Sequence, residues 1–500
     1  METLVVQPAP IPFYTVLIFY LGIMAFIGWY ASRGTNSLSD YFVLSGKAGV
    51  IVSGIAYFAT QFSMGTFLGV PGTVYNVGYA GMAVSVPGAV FCMILPAILV
   101  GKRLVKLGHE YKFLTMADYL SDRYGSNKMS SFLGVLMLVF LVPMMGAQII
   151  GAGVIVNVFT GLPEWVGVVG MGTVVILYCM TGGMKGAMLT DVIQGGLMIA
   201  TAIVTFILSV KMGGGFENIN QSLMKMNEAF LSFPGNTNYM PWQFYVSQII
   251  LWSFFTIGQP HLFTKFFAMK NHKVMFKAIL LGTAGMWLSA TLIEWSAVNA
   301  ITFIPGLKNT DQVIPLILQQ GMNPFLASVF IAGIVAAGMS TIDGVLVITS
   351  GAFTRDIYQK IINKKASDES IMKLSKIVTL IIGLVVIAFG ILKPGTIFEI
   401  NLFAFAGMGI FVVPVMFGMY WKKATLSAAF ASVVTGIIVL ISLTSIPALK
   451  PFAFGFHPLL PAAVVAAVVM VIVSLFTKTP SEAIIKKHFS IFKKVNKQEV

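Results

Sequence analysis

Two long apolar segments of this chain are interrupted in mid-course by glycine and proline, at Gly69-Val70-Pro71-Gly72 and at Gly258-Gln259-Pro260. Proline withholds a backbone donor and collides with the preceding turn, so a helix carrying such a stretch bends or breaks. In hydrocarbon the freed carbonyls and amides persist only where they line a cavity, and paired breaks in two halves of a chain mark a binding site at membrane depth. The rest of the sequence has the matching composition. It is 57% apolar and 10% charged over 500 residues, enough for about a dozen spans of roughly 20 residues each. About thirteen transmembrane spans are predicted, near 12–33, 48–75, 80–104, 130–158, 163–181, 187–211, 241–264, 278–302, 325–352, 374–392, 398–420, 424–446 and 456–477. The expected fold class is all-α and integral to a membrane.

The net charge of +14 invites a nucleic-acid partner, but its distribution assigns it to topology. With the N-terminus outside, every Lys and Arg except Lys211, Lys225, Lys308, Lys393 and Lys450 falls on the cytoplasmic side. Basic residues prefer that side, and an odd number of spans then leaves the C-terminus in the cytoplasm. In the basic tail, 478–500, apolar and basic residues alternate at roughly helical spacing around Ile484, Lys486, Lys487 and Phe489, which suits a surface helix on anionic membrane lipid. Met1 to Ile11 contain no basic residue, so the first span reads as an anchor and not as a cleaved signal.

Cys92 and Cys179 sit inside apolar spans without metal-ligand spacing and read as small buried hydrophobes. The five histidines are isolated, and no phosphate-cradling loop or nucleophile elbow is present. Such an inventory indicates a transporter rather than an enzyme.

A long external loop, 212–240, opens on Gly213-Gly214-Gly215 and closes on Pro234-Gly235-Asn236, as a linker between halves does. It separates spans 2–6 from spans 7–11. Each set opens with a broken span, and because five is odd the two sets enter the membrane from opposite sides, as inverted repeats require. On this reading residues 1–500 form a single transporter domain, with a first repeat at 48–211 and a second at 241–420.

Hydroxyls and small residues recur at two points inside the spans. One is Ala59-Thr60-Gln61-Phe62-Ser63, before the first break, and the other is Ala336-Ala337-Gly338-Met339-Ser340-Thr341-Ile342-Asp343 in the ninth span. Such stretches serve either close helix packing or a hard cation whose water is replaced by carbonyls and hydroxyls. A broken helix beside adjacent hydroxyls favours the cation. Asp191, Glu294 and Asp343 are carboxylates inside spans, and each costs about 2.5–3.5 kcal/mol near the bilayer centre unless water, a cation or a partner meets it. Asp191 also has an interfacial reading and Glu294 a structural one. No Lys or Arg is expected at the midplane, so the amide ends of the broken helices near Gly69 and Gly258 are the expected partners of a substrate carboxylate.

At these residues the chain resembles the bacterial sodium/solute symporter family, from Asp40-Tyr41-Phe42 to the final span. The resemblance rests on Ala336-Ala337-x-Met339-Ser340-Thr341, Thr190-Asp191-x-x-Gln194, Gly258-Gln259-Pro260-His261 and Leu114-Thr115-Met116-Ala117-Asp118-Tyr119. It implies a LeuT-type fold of two inverted five-helix repeats plus flanking helices, in a bacterial inner membrane. It also implies a sodium site (Na+) made by the carbonyls of Ala59, Phe62 and Ala337 and the hydroxyls of Ser340 and Thr341. Asp191 and Asp343 are candidates for an ion pathway or a second cation. Gln61, Ser63, Gln148, Trp252 and Gln259 are the candidate contacts to a small-molecule substrate.

For that substrate, Ala147-Gln148-Ile149-Ile150-Gly151 is similar to the pantothenate branch and to monocarboxylate carriers, and Ile400-Asn401-Leu402-Phe403-Ala404-Phe405 to the pantothenate branch. Trp252, Gly258, Gln259 and Pro260 are similar to the sodium/proline carriers as well. The expected function is sodium-coupled uptake of pantothenate by alternating access, with proline or a monocarboxylate as alternatives. Two departures stand out. The chain has Gln61 where the proline carriers have an acidic residue, and Asp343 where they have a small polar one.

Overall fold

The computed structural model describes residues 9–33, 39, 43–238 and 240–493. Asp40-Tyr41-Phe42 and tail residues 494–500 lie outside the described residues. Among those described, the regular elements are helices. By length and apolarity ten of them can cross a membrane, or eleven when the bent pair Val50–Gln61 and Gly65–Val77 is taken as one span. That count does not reproduce the expected thirteen. At 163–181 the apolar helix Glu164–Leu177 is short and runs on as helix through Glu164–Met212. At 241–264 the second break divides the segment into Trp242–Phe254 and Pro260–Ala268, each too short to cross alone.

Helix Pro324–Gly351 is the centre of the bundle. Asn323 caps its start by accepting from the Leu326 amide, Pro324 occupies the first turn, and the helix is buried without interruption from Ile331 to Gly351. Small residues make this possible. A Cβ on Gly333 would stand 2.1 Å from the Thr201 hydroxyl, which donates to the Phe330 carbonyl at 2.8 Å. The outer helices Asp368–Leu392, Leu426–Ser445 and Leu459–Phe476 instead turn Ile381, Leu384, Ile438 and Val468 outward. Lipid offers apolar side chains as good a surrounding as protein does, so close backbone approach decides which helices go inside.

The first break lies earlier than the glycine and proline suggested. Helix Val50–Gln61 ends at Phe62, whose φ of −86° and ψ of 86° leave the helical region. The chain bends by 55° before continuing as a wide π-type turn, Gly65–Gly69, and helix Val70–Val77. Pro71 does not break the helix here, because the wide turn before it absorbs the lost hydrogen bond. The second break falls as expected: a 3₁₀ turn, Phe255–Gly258, is followed by extended Gln259 and by Pro260 at the first helical position.

The two broken spans are tied at one end by backbone hydrogen bonds. The Ala48 amide donates to the Ala268 carbonyl at 3.0 Å, and the Lys270 amide donates to the Ala48 carbonyl at 3.1 Å. The tail forms helix Glu482–Lys493, as its periodicity indicated, but it docks on the protein. Lys487 and His488 both reach Asp122 of helix Met116–Tyr124, at 2.6 and 2.7 Å, and His488 is buried beside Phe113 and Tyr119. The apolar face of the tail therefore meets protein, not lipid alone.

Candidate functional site

Five oxygen atoms converge where the first broken helix meets helix Pro324–Gly351. The Ser340 hydroxyl lies 2.8 Å from the Ala59 carbonyl and 3.1 Å from that of Ala337. The Thr341 hydroxyl lies 3.0 Å from the Ala337 carbonyl and 3.1 Å from that of Thr60. Four of the five expected sodium donors, those of Ala59, Ala337, Ser340 and Thr341, thus come together, with Thr60 as an addition the sequence reading had not singled out. Phe62 stands at the bend one turn further on and makes none of these contacts. The cluster is buried, neutral and made of hard oxygens, the donor chemistry that suits sodium. Each hydroxyl donates to a carbonyl in the arrangement described, and either could turn a lone pair to a cation instead.

Asp191 lies inside the protein and not on its surface. It is fully buried and paired with an equally buried Lys265, whose ammonium stands 2.9 Å from the carboxylate and 2.9 Å from the Ala56 carbonyl. Ala56 precedes Ala59 and Thr60 by about one turn of the same helix, so the ion pair lies next to the oxygen cluster. Lys265 was missed because it ends an apolar segment, where basic residues ordinarily face the cytoplasm. Its signal was the missing neutralisation of Asp191. Asp343 is buried as well, and Tyr20 of helix Pro10–Ser32 lies within electrostatic reach of both Asp191 and Asp343.

On the other side of the break lies a cavity. Gln61 and Ser63 form part of its wall, as do Gln248 and Trp252 from Trp242–Phe254, Glu294 from His272–Ala300, and Asn401 from Ile397–Gly409. Trp252 meets Phe405 edge-on, with ring centroids 5.1 Å apart. Buried polar atoms nearly always have partners. Here Gln61 Oε1, Asn401 Nδ2, Glu294 Oε1 and both side-chain polar atoms of Gln248 have none among the described residues. The wall thus carries hydrogen-bonding atoms without partners beside its apolar residues.

Two expected substrate contacts do not line this cavity. Gln148 is fully buried and accepts from the Met64 amide at 2.8 Å, while its own amide donates to the Met144 carbonyl at 3.1 Å and to Asn401 at 3.3 Å. It holds the break and positions Asn401, which does line the cavity. Gln259 is buried at the second break and is likewise absent from the wall. The amide ends of the first break are also taken. Gly65 N–H donates to the Ser63 hydroxyl at 3.1 Å, and the Thr66 and Phe67 amides donate to the Ser63 carbonyl at 2.9 and 3.0 Å. The amides of Gly65, Thr66 and Phe67 are therefore already paired within the protein.

A model of the sodium:solute symporter family matches residues 41–436. The chain is 28% identical over 480 residues to the sodium/pantothenate symporter of Escherichia coli (strain K12), covering 94% of this chain and 98% of that protein. It is 27% identical over 489 residues to a sodium/proline symporter of Staphylococcus aureus (strain NCTC 8325 / PS 47), covering 93% of each. Among solved structures, a substrate-bound, outward-open Na+-coupled sialic acid symporter superposes with a TM-score of 0.79 at 20% identity, over 94% of this chain and 99% of that one. MhsT in complex with L-phenylalanine superposes with a TM-score of 0.52 at 16% identity, over 86% and 99%. These structures share the helical fold, the LeuT-like arrangement that the resemblance implied. Relatives matched along nearly their whole length are multi-pass transporters and not enzymes, and with a model covering most of its residues the chain belongs to the sodium:solute symporter family.

Proposed function

We propose that this protein uses the sodium gradient to take up pantothenate, by alternating access about the two broken spans, with its N-terminus outside and its C-terminus in the cytoplasm. The observation that carries the reading is the set of unpartnered buried polar atoms in a cavity that shares one helix break with the oxygen cluster. Sodium is bound by Ala59, Ala337, Ser340 and Thr341, with Phe62 joining as the bend adjusts. Pantothenate brings two hydroxyls and an amide N–H to the acceptors of Gln61, Gln248 and Glu294, and a carboxylate to the donors of Asn401 and Gln248. A simple monocarboxylate would leave most of these atoms unpaired, at about 1–3 kcal/mol each.

The energetics constrain the ion count. One sodium moving inward through 100 mV releases about 2.3 kcal/mol, which supports roughly 50-fold accumulation of a neutral solute. A monoanion carried with one sodium draws nothing from the potential, and a second cation would restore that drive for pantothenate. We place that second cation near Asp343, which is buried two positions beyond Thr341 of the oxygen cluster.

A sodium/proline symporter matched over nearly the same length as the pantothenate carrier makes proline the second reading. Proteoliposomes offered labelled pantothenate and proline, with and without an inward sodium gradient, decide between them. Pantothenate accumulation that needs sodium and grows with an inside-negative potential is the expected result. Accumulation of proline alone would replace the substrate, and uptake indifferent to sodium would remove the mechanism.

A further inference from the structure

Glu294 is a carboxylic acid in the cavity wall that the sodium site does not use. It is 1% exposed, on helix His272–Ala300. One carboxylate oxygen accepts from the Ser85 hydroxyl of helix Tyr79–Pro96, while the other, Oε1, has no partner. No Lys, Arg or His belongs to the wall of this cavity, so no protein cation there neutralises the acid. Ser85 Oγ also lies 3.1 Å from the Gly81 carbonyl, but its single proton can serve only one acceptor at a time, and the carboxylate has one oxygen beside Ser85 and one without a partner among the described residues.

We infer that Glu294 determines substrate specificity by accepting a hydrogen bond from an N–H or O–H group of the solute, and that Ser85 positions it. The inference rests on the proposed transport function and adds a requirement to it. A transported solute must carry a hydrogen-bond donor apart from its carboxylate, because an acceptor left facing a bare hydrocarbon end is a buried polar group without a partner. The donor can be a hydroxyl, as in pantothenate, or an ammonium, as in proline. Carboxylates with neither are rejected at this residue.

The test is sodium-driven uptake by the full-length protein in proteoliposomes, comparing the parent with Glu294→Gln and Ser85→Ala. The substrates are pantothenate, proline and propionate, the last a carboxylate without a second donor. The parent is expected to discriminate strongly against propionate. Glu294→Gln keeps the shape and a partner for Ser85 but replaces a charged acceptor with a neutral amide oxygen, and is expected to raise the half-saturation constant of the donor-bearing solute by roughly 5- to 15-fold, while sodium affinity measured without solute stays the same. Ser85→Ala should move the solute constant in the same direction by less. If a hydroxyl is the donor, pantothenate lacking its hydroxyls binds parent and Glu294→Gln equally. If an ammonium is the donor, proline shows the larger loss.

A solute constant unchanged in Glu294→Gln overturns the inference, as does a parent that carries propionate as well as the others. A purely structural Glu294 would lower thermal stability in Glu294→Ala and leave the preference for donor-bearing solutes intact, which also overturns it. Uptake that proves independent of sodium but still weakens in Glu294→Gln would defeat the symport reading and sustain this one.

Discussion

The oxygen cluster and the solute cavity meet at the first helix break and are built in opposite ways. The cluster draws on two short stretches, 59–60 and 337–341, and takes three of its five oxygens from the backbone. The cavity draws side chains from the break and from four further helices. A bare cation asks only for several hard oxygens at one distance, which any unwound turn supplies beside a pair of hydroxyls. An organic solute asks for shape and for donors and acceptors in fixed directions, which takes many elements. Perturbing each site should therefore leave a distinct signature, and Gln148 should be the residue that mixes the two.

The largest effect is expected at the cluster. Replacing Ser340 and Thr341 together by Ala removes two oxygens that face a charge, each worth about 1.5–3 kcal/mol. The sodium concentration for half-maximal uptake should rise by at least roughly 10-fold, with protein abundance little changed. Sodium dependence identical to the parent's would place the ion elsewhere.

Gln148→Ala comes next. It strands the Met64 amide inside the protein and releases Asn401, so stability should fall by about 1–3 kcal/mol. Sodium and solute constants should rise together, since both sites share the break. A shift in the solute constant alone, read from paired titrations, would show that Gln148 touches the solute after all.

Trp252→Phe removes part of the cavity wall and weakens the edge-on contact with Phe405. Contacts of this kind contribute about 0.5–1.5 kcal/mol, so the solute constant should rise by roughly 2- to 12-fold and the sodium constant should hold. An equal change in both would mean that the two sites are less separable than their construction implies.

The smallest effect is expected far from both sites, where the tail docks. Burial holds the His488 imidazole below its ordinary value, more strongly than Asp122 raises it. Burial would raise Asp122, but hydrogen bonds from His488 and Lys487 outweigh it and hold that carboxyl below the usual range, so it stays ionised near neutrality. A histidine depressed in the folded state favours docking fully above its unfolded value of about 6.5 and loses that contribution as the pH falls below it. Hydrogen exchange across Glu482–Lys493 should therefore speed up on acidification, with the transport constants unmoved by Asp122→Asn. Protection that strengthens at lower pH would reverse the sign.

Much of this was legible from residue order. Hydropathy located the apolar segments, glycine and proline announced that two of them were broken, and Ser340-Thr341 stood out as adjacent hydroxyls where lipid tolerates few. The position of the first break was not legible, because Pro71 is accommodated by a wide turn and the bend falls at Phe62. The tail's amphipathic spacing fitted lipid and protein alike, and its docking through Asp122 could not be read from it.

Local physics acts within a few residues, so the sequence alone settled where the chain is apolar, that two of its apolar segments are broken, and which stretches carry oxygens suited to a cation. Pairing depends on residues brought together from far apart. Lys265 meets Asp191 across 74 positions, Ser85 meets Glu294 across 209, and Gln148 meets Asn401 across 253. Each buried polar group had to find a partner or line a cavity, and its residue type could not say which, because a carboxylate or amide has the same hydropathy in either role. Only the packing of the bundle assigned Gln148 to the break and Glu294 to the cavity.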